Sequence, residues 1–315
     1  MAQATAPIGA AQNRSLWRHI KRHRWVYAFI APGCVYLLLF AYWPMYGITV
    51  AFKDYNMRDG ILSSPWSAPI YKNFNLMLVD RLFWGAFWNS FRIGFMTVLL
   101  GFFPPIFLAL LMNELRLMKY KRVLQTIFTF PNFMSWVICA GLIKNLLLST
   151  GMINTLLRSM GAAPIDFLAN RDFARPLLYI SGVWKNVGWG SIIYMAAIAA
   201  INVELYEAAE VDGANRFQRM WHITWPGIRP TATILLILSF GGIVGGNFDQ
   251  IMNMSNPIVR NEMEVMGTYI YRRTFQNTPN YGFSTAMGLV SSVINFAFLL
   301  AANRGAKLLG EGGIM

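Results

Sequence analysis

The stretch "YEAAEVDGANRFQRMWHITWP", Tyr206 to Pro226, is polar, and long apolar runs flank it on both sides. It gathers Glu207, Glu210 and Asp212 within six residues, in a chain with only 14 carboxylates. "ELYEAAEV" (204–211) is a strong helix former, with acids near its start where the helix dipole favours them. Gly213 suits a left-handed C-terminal cap. Asp212 is placed to cap a second short helix, with Phe217, Met220 and Trp221 on its apolar side. Trp225-Pro226 and Pro230 then lead into the next apolar run. The segment reads as a compact helix–turn–helix lying across a membrane face. An interfacial helix bedded in headgroups would be lysine-rich on its polar face; this one is acidic first. Its small residues Ala208 and Ala209, with flanking acids, suit a groove on another protein.

The flanking runs set the class. Of 315 residues 56% are hydrophobic and 13% charged, whereas soluble domains are typically about 45–50% apolar and about 25% charged. Both departures point to a membrane protein. The net charge of +13 invites a nucleic-acid reading, but no basic cluster interleaved with aromatics supports it. In a membrane protein a basic excess belongs in cytoplasmic loops. Cys34 and Cys139 fall in apolar runs without metal-like spacing, and His19, His23 and His222 form no ligand set.

Residues 1–25 form a basic tail with Arg14, Arg18, Lys21, Arg22 and Arg24. The apolar run 26–52 is too long for the roughly 7–15-residue core of a signal peptide and reads as an uncleaved span. Five more segments approach the roughly 20 residues that cross a bilayer: 88–112, 124–148, 177–201, 231–250 and 285–303. Six spans put both termini on one side. "RLMKYKR" (116–122) packs four basic residues into one short connection and makes that side cytoplasmic. The expected architecture is an all-α integral membrane protein: tail 1–25, one six-span domain 26–303 with the cytoplasmic loop 202–230, and tail 304–315.

Several spans are irregular. The second carries Pro104-Pro105, the third "FPNFMSW" (130–136), the fourth "VWKNVGWGS" (183–191) and the fifth "GGIVGGNFDQ" (241–250). Broken backbone at bilayer depth is tolerated where it is buried in protein or lines a wet cavity. The glycines equally fit close helix packing. Lys185, roughly 12 Å inside its span at 1.5 Å per residue, is a functional candidate, with snorkelling or pairing to Asp249 as the alternative. Trp184 and Trp189 on the same helix suit a sugar face, or ordinary packing.

Absences matter too. The sequence has no Gly-Lys pair and hence no P-loop, no HExxH and no GxSxG. Asp249 is the only intramembrane carboxylate that would serve a proton relay. A solute carrier without a nucleotide site or coupling acids borrows energy from a partner. An ion-coupled secondary transporter, or a membrane scaffold docking a cytosolic partner, are the alternatives.

"EAAEVDGA" followed by Ile223-Thr224-Trp225-Pro226 resembles the EAA motif of ATP-binding cassette importer permeases, in which EAA, three residues, glycine, nine residues and Ile-x-Leu-Pro follow in order. Trp225 stands in place of the usual leucine. "YWPMYGITVAFKDYN" (42–56), "FLALLMNELRLMKYKRVLQTI" (107–127), "GWGSIIYMAAIAAI" (188–201) and "MGLVSSVINFAFLLAANRGAKLLGEGG" (287–313) resemble the polysaccharide-type branch of carbohydrate permeases. The resemblance implies a type I importer fold in the bacterial cytoplasmic membrane. It also implies a homologous second permease, two ATPase subunits carrying ATP and Mg, an extracytoplasmic solute-binding protein and no cofactor or catalysis in this chain. Glu207, Ala208, Ala209, Asp212 and Gly213 take the ATPase-coupling role. The substrate path is carried over to Trp184, Gly188 and Trp189, with Lys185 beside them, and to Asn247, Asp249, Gln250 and Asn253. Oligosaccharides cut from a polysaccharide are the expected cargo. Lys185 and Arg92 favour an acidic glycan such as alginate oligomers, and Asp249 opposes it.

Overall fold

The computed structural model describes residues 21–115, 117–276 and 279–308. Arg14 and Arg18 of the basic tail, Arg116 of the basic connection, and residues 309–315 lie outside the described residues. The described chain is helical, apart from loops and an isolated bridge between Lys53 and Trp66. In chain order the α-helices are α1 (Arg24–Leu37), α2 (Gly60–Ser63), α3 (Lys72–Val79), α4 (Arg81–Asn113), α5 (Met118–Phe133), α6 (Trp136–Leu147), α7 (Met152–Ser159), α8 (Arg171–Ala199), α9 (Val203–Val211), α10 (Arg216–Arg219), α11 (Trp225–Phe240), α12 (Phe248–Met254), α13 (Arg260–Met263), α14 (Met266–Phe275) and α15 (Tyr281–Leu308).

Among the described residues five helical runs are long and apolar enough to cross a bilayer: Arg24–Phe52, Arg81–Asn113, Trp136–Ser159, Arg216–Phe240 and Tyr281–Leu308. A sixth, Arg171–Ala199 with Val203–Val211, qualifies when the two helices are taken together across their 72° bend. Two expected spans change shape. The third, at 124–148, breaks after Phe133, where Met134 and Ser135 turn extended and Ser135 caps α6. The fifth, at 231–250, ends as a helix at Phe240, and turns at 241–247 separate it from α12. Four glycines in 241–246 explain the second break, since glycine loses the most backbone freedom in a helix.

Prolines do not break the chain where the sequence invites it. Pro44 and Pro226 each follow a short π-helical turn, Leu38–Tyr42 and Met220–Thr224. A proline ring clashes with the carbonyl four residues back, here Phe40 and His222, each inside such a turn. Widening the helix by one residue relieves that clash while the helix continues. Pro104-Pro105 lies inside the unbroken α4.

Span direction follows from contacts. Arg175 bonds Asn89 near the starts of α8 and α4, and Gly190 abuts Pro105 further along, so these helices run parallel. Phe83 and Phe283, near the starts of α4 and α15, share one buried cluster with Met287 and Tyr269. Spans two, four and six therefore start at one end of the molecule, and the 206–226 loop, which follows α8, lies at the other. At the starting end Asp80 caps α4 through Leu82 N at 2.9 Å and also accepts from Tyr269 and Arg273. Arg175 donates to Asn89 Oδ1 (3.0 Å) and pairs with Glu262 (2.8 Å), tying spans two and four to α13. Further down, Ile106, Ala109, Tyr194, Ile198, Ile228 and Ala232 pack α4, α8 and α11 together.

Candidate functional site

A cavity of about 540 Å³ opens between α4, α8, α11 and the unwound segment 241–247. Its size falls in the roughly 300–1,000 Å³ range of ligand pockets. Tyr179, Gly182, Asn186, Gly190 and Ile193 line it from α8, at the three- and four-residue spacing of one helix face. Thr97, Leu100 and Gly101 line it from α4, and Ser239 and Asn247 from the broken fifth span. Pro104 and Pro105 offer no N–H to the carbonyls four residues back, those of Leu100 and Gly101, so the proline pair leaves acceptors at the cavity wall. Gly94 lets α4 approach the unwound segment: a Cβ there would stand 2.1 Å from the Ile243 carbonyl oxygen. Asn247 holds a left-handed backbone (φ 66°) and donates from Nδ2 to Thr97 Oγ1 at 3.1 Å. Among the described residues, no charged side chain lines this cavity. Its polar groups are hydroxyls, amides and backbone, which suits an uncharged, hydroxyl-rich ligand surface.

The residues expected on the path separate into groups. Asn247 lines the cavity. Trp184, Trp189 and Asp249 are exposed away from it, with Trp189 edge-on to Phe133. Gly188 is buried against α5, where a Cβ would lie 2.2 Å from the Phe128 carbonyl carbon and oxygen. Gln250 is buried and donates to Leu178 O (2.7 Å) and Ser181 Oγ (2.9 Å), docking α12 on α8. Asn253 donates back to Asp249 O at 2.8 Å. Lys185 neither pairs with Asp249 nor snorkels: its ammonium, buried, donates to Asn132 O (2.7 Å) and Pro131 O (3.2 Å). Arg92 is exposed and off the cavity. Thr97, Tyr179, Asn186 and Ser239 were missed; the signal was the small-and-polar stripe 179, 182, 186, 190, read from α8 alone.

At the opposite end from Asp80, the loop 202–226 folds on itself. Asn202 caps α9, accepting from Glu204 N at 3.1 Å. Gly213 takes φ 78°, Ala214 N bonds Ala209 O (2.8 Å) and Gly213 N bonds Glu210 O (3.1 Å), a Schellman closure. The second helix is capped by Asn215 rather than Asp212: Asn215 and Gln218 exchange side-chain and backbone bonds in a capping box. Asp212 ends α9 instead. Arg219 pairs with Glu210 at 3.0 Å and Tyr206 bonds Thr224 at 2.9 Å, closing the hairpin. Glu207, Ala208, Asp212 and Gly213 are exposed and Ala209 is half-buried. Val211, Phe217 and Trp221 are 88%, 80% and 68% exposed, so the tip offers apolar surface rimmed by carboxylates.

Residues 23–304 match the family described as "Binding-protein-dependent transport system inner membrane component". The chain is 38% identical over 320 residues to the polygalacturonan/rhamnogalacturonan transport system permease protein YteP of Bacillus subtilis, covering 99% of each chain. It is 37% identical over 311 residues to protein LplB of the same organism, covering 98% of this chain and 97% of LplB. Among solved structures it resembles a chain of the bacterial alginate ABC transporter in complex with alginate pentasaccharide-bound periplasmic protein, with TM-score 0.85, 35% identity, and coverage of 95% of this chain and 99% of that one. Broken spans around an uncharged cavity, an acidic hairpin at the far end and a match over nearly the whole length agree: the chain belongs to the binding-protein-dependent transport system inner membrane component family.

Proposed function

We propose that this multi-pass protein of the bacterial cytoplasmic membrane forms half of the path of an ATP-driven carbohydrate importer and couples it to an ATPase through α9 and the turn at Gly213. It is the permease component, which sets aside the ion-coupled carrier and the scaffold. The observation that carries the coupling reading is the hairpin tip, where Val211, Phe217 and Trp221 stand exposed among Glu207, Glu210 and Asp212 directly after the 72° bend from α8. Apolar surface with an acidic rim, held rigid by two caps and an ion pair, fits a cleft on a soluble partner.

Two ATPase subunits would carry the nucleotide and Mg, and a binding protein would deliver solute at the Asp80 end. A homologous second permease would complete the path. In support of it, the most apolar window of Arg24–Phe52 buries nothing inside this chain. The cargo is an oligosaccharide. YteP and the alginate transporter are named for acidic polysaccharides, and an acidic oligosaccharide follows from them rather than from the lining, which offers no cation. Both termini and the 202–230 loop would face the cytoplasm.

The test uses the assembled importer in proteoliposomes. Glu207→Lys and Gly213→Pro should leave the complex inserted but abolish ATP hydrolysis stimulated by loaded binding protein. Stimulated hydrolysis surviving both changes would remove the docking role.

A further inference from the structure

Among the described residues, Lys185 is the one cation buried at mid-length in a long span, 6% exposed, and it does not line the cavity. What it touches is the break in the third span. Helix α5 ends at Phe133, so the carbonyls of its last turn lose their usual donors four residues on, and Pro131 O is left with a 3.3 Å bond from the capping Met134 N. Two of them, Pro131 O and Asn132 O, receive the Lys185 ammonium at 3.2 and 2.7 Å. The same ammonium lies 5.6 Å from the ring centre of Trp136, the first residue beyond the break. A cation also suits the negative end of α5's dipole. One side chain thus touches both halves of the broken span.

Neighbouring residues repeat the contact. Asn132 donates to Asn186 Oδ1 at 3.1 Å, Phe133 packs edge-on against Trp189, and the α5 backbone at Phe128 fills the space Gly188 leaves. Helix α8 runs without interruption from this joint to the bend into α9.

We infer that Lys185 is a positioning residue that clasps the break of the third span to α8, so that motion delivered to α9 carries both spans as one body. This rests on α9 being the element that docks the ATPase. The ammonium satisfies carbonyls that the break exposes and holds α5 and α6 at a fixed angle to the helix that lines the cavity. It does not contact the sugar.

Lys185→Met and Lys185→Arg in the complete importer, reconstituted with ATP inside and assayed with radiolabelled oligogalacturonate, separate the possibilities. For Lys185→Met the kcat of uptake should fall roughly tenfold or more, the scale of one charge-assisted hydrogen bond missing from the moving state, with KM within about twofold. Stimulated ATP hydrolysis should persist, and Lys185→Arg, which keeps the donors, should recover most of the uptake. A rise in KM at unchanged kcat would mean that Lys185 meets substrate, and would overturn the inference. So would unchanged uptake, joint loss of hydrolysis and uptake, or failure of arginine to rescue. If Lys185→Met does not assemble, Lys185→Gln, which keeps an amide NH2 but not the charge, should show the same split. Lack of ATP-dependent uptake by the unaltered importer would count against the proposed function and not against the clasp.

Discussion

Gly188→Ala perturbs the joint between spans three and four without touching a charge. An added Cβ would lie 2.2 Å from the carbonyl carbon and oxygen of Phe128 and 2.6 Å from Thr129 N. All three are backbone atoms of α5, so no side chain can swing aside. Restoring an ordinary 3.4 Å contact requires α8 and α5 to part by about 1.2 Å locally. Overpacking of that kind costs about 1–3 kcal/mol. With about 2–4 °C of Tm per kcal/mol in a chain of this order of size, a mid-range cost lowers Tm by about 4–8 °C. Gly85→Ala is the internal control: it lies in α4 with nothing within 4 Å, and alanine inside a helix gains about 0.5–1 kcal/mol over glycine. Thermal unfolding of the detergent-solubilised protein, followed by tryptophan emission, includes the joint, because Trp136 lies against Lys185 and Trp189 against Phe133. If Gly188→Ala melted with or above Gly85→Ala, the close approach of these helices would be refuted, and the clasp with it.

At the coupling hairpin Gly213 has φ 78° and open space around it, so substitution is opposed by backbone strain alone. Alanine there costs about 1–2 kcal/mol and asparagine less, so stimulated ATP hydrolysis should fall in the order Gly213, Gly213→Asn, Gly213→Ala; equal activity in all three would show that the Schellman closure is dispensable. At the opposite end, burial and the hydrogen bond to Asp80 raise the Tyr269 hydroxyl from its usual 10.0 to about 12. Its stabilising contribution is therefore complete below pH 10 and lost as pH rises through about 12. Asp80 is pushed up by burial, but bonds from Tyr269, the Leu82 N–H and Arg273 outweigh that and hold it below 3.8, so its contribution is lost only in acid. A Tm–pH series should show an alkaline decline that is shallower in Tyr269→Phe, and an identical decline in both would contradict the pairing.

The membrane class and the hairpin were legible because both are local. Apolar length predicts a span, and Glu207 to Gly213 carries its own helix, cap and turn in sequence order. The capping residue was misassigned because Asp212 and Asn215 are both good caps, and which one starts the second helix depends on the Schellman closure finishing first at Ala214. The span breaks were visible as odd composition but not as breaks. Pro104-Pro105 looks more disruptive than "FPNFMSW", yet α4 continues and the third span does not. What decides this is tertiary: Lys185 waits opposite the Pro131 and Asn132 carbonyls, whereas Gly190 lets the Pro105 ring pack against α8. Neither partner lies near the proline in sequence. The cavity face of α8 was missed for a related reason. Bulk and charge drew notice to Trp184, Lys185 and Trp189, whereas the face that lines an opening is made of what leaves room: Gly182, Asn186 and Gly190.

Among the described residues, the two buried lysines follow backbone carbonyls rather than cargo. Lys185 goes to the carbonyls at the end of α5, and Lys53, 4% exposed, donates to Ile61 O (2.6 Å) and Leu62 O (3.2 Å) across the Trp66 ring. The half-buried Arg175 also bonds the Glu262 carbonyl beside its ion pair. An unpaired carbonyl away from water costs several kcal/mol, and a cation with several donors satisfies two at once. A permease needs broken helices to build a path, every break exposes carbonyls, and so the fold itself demands buried donors near the path whatever the solute's charge. The cavity wall, free of charge, is consistent with that division. An intramembrane lysine beside a proline break therefore reads first as repair of the backbone, and substrate charge has to be sought in the lining.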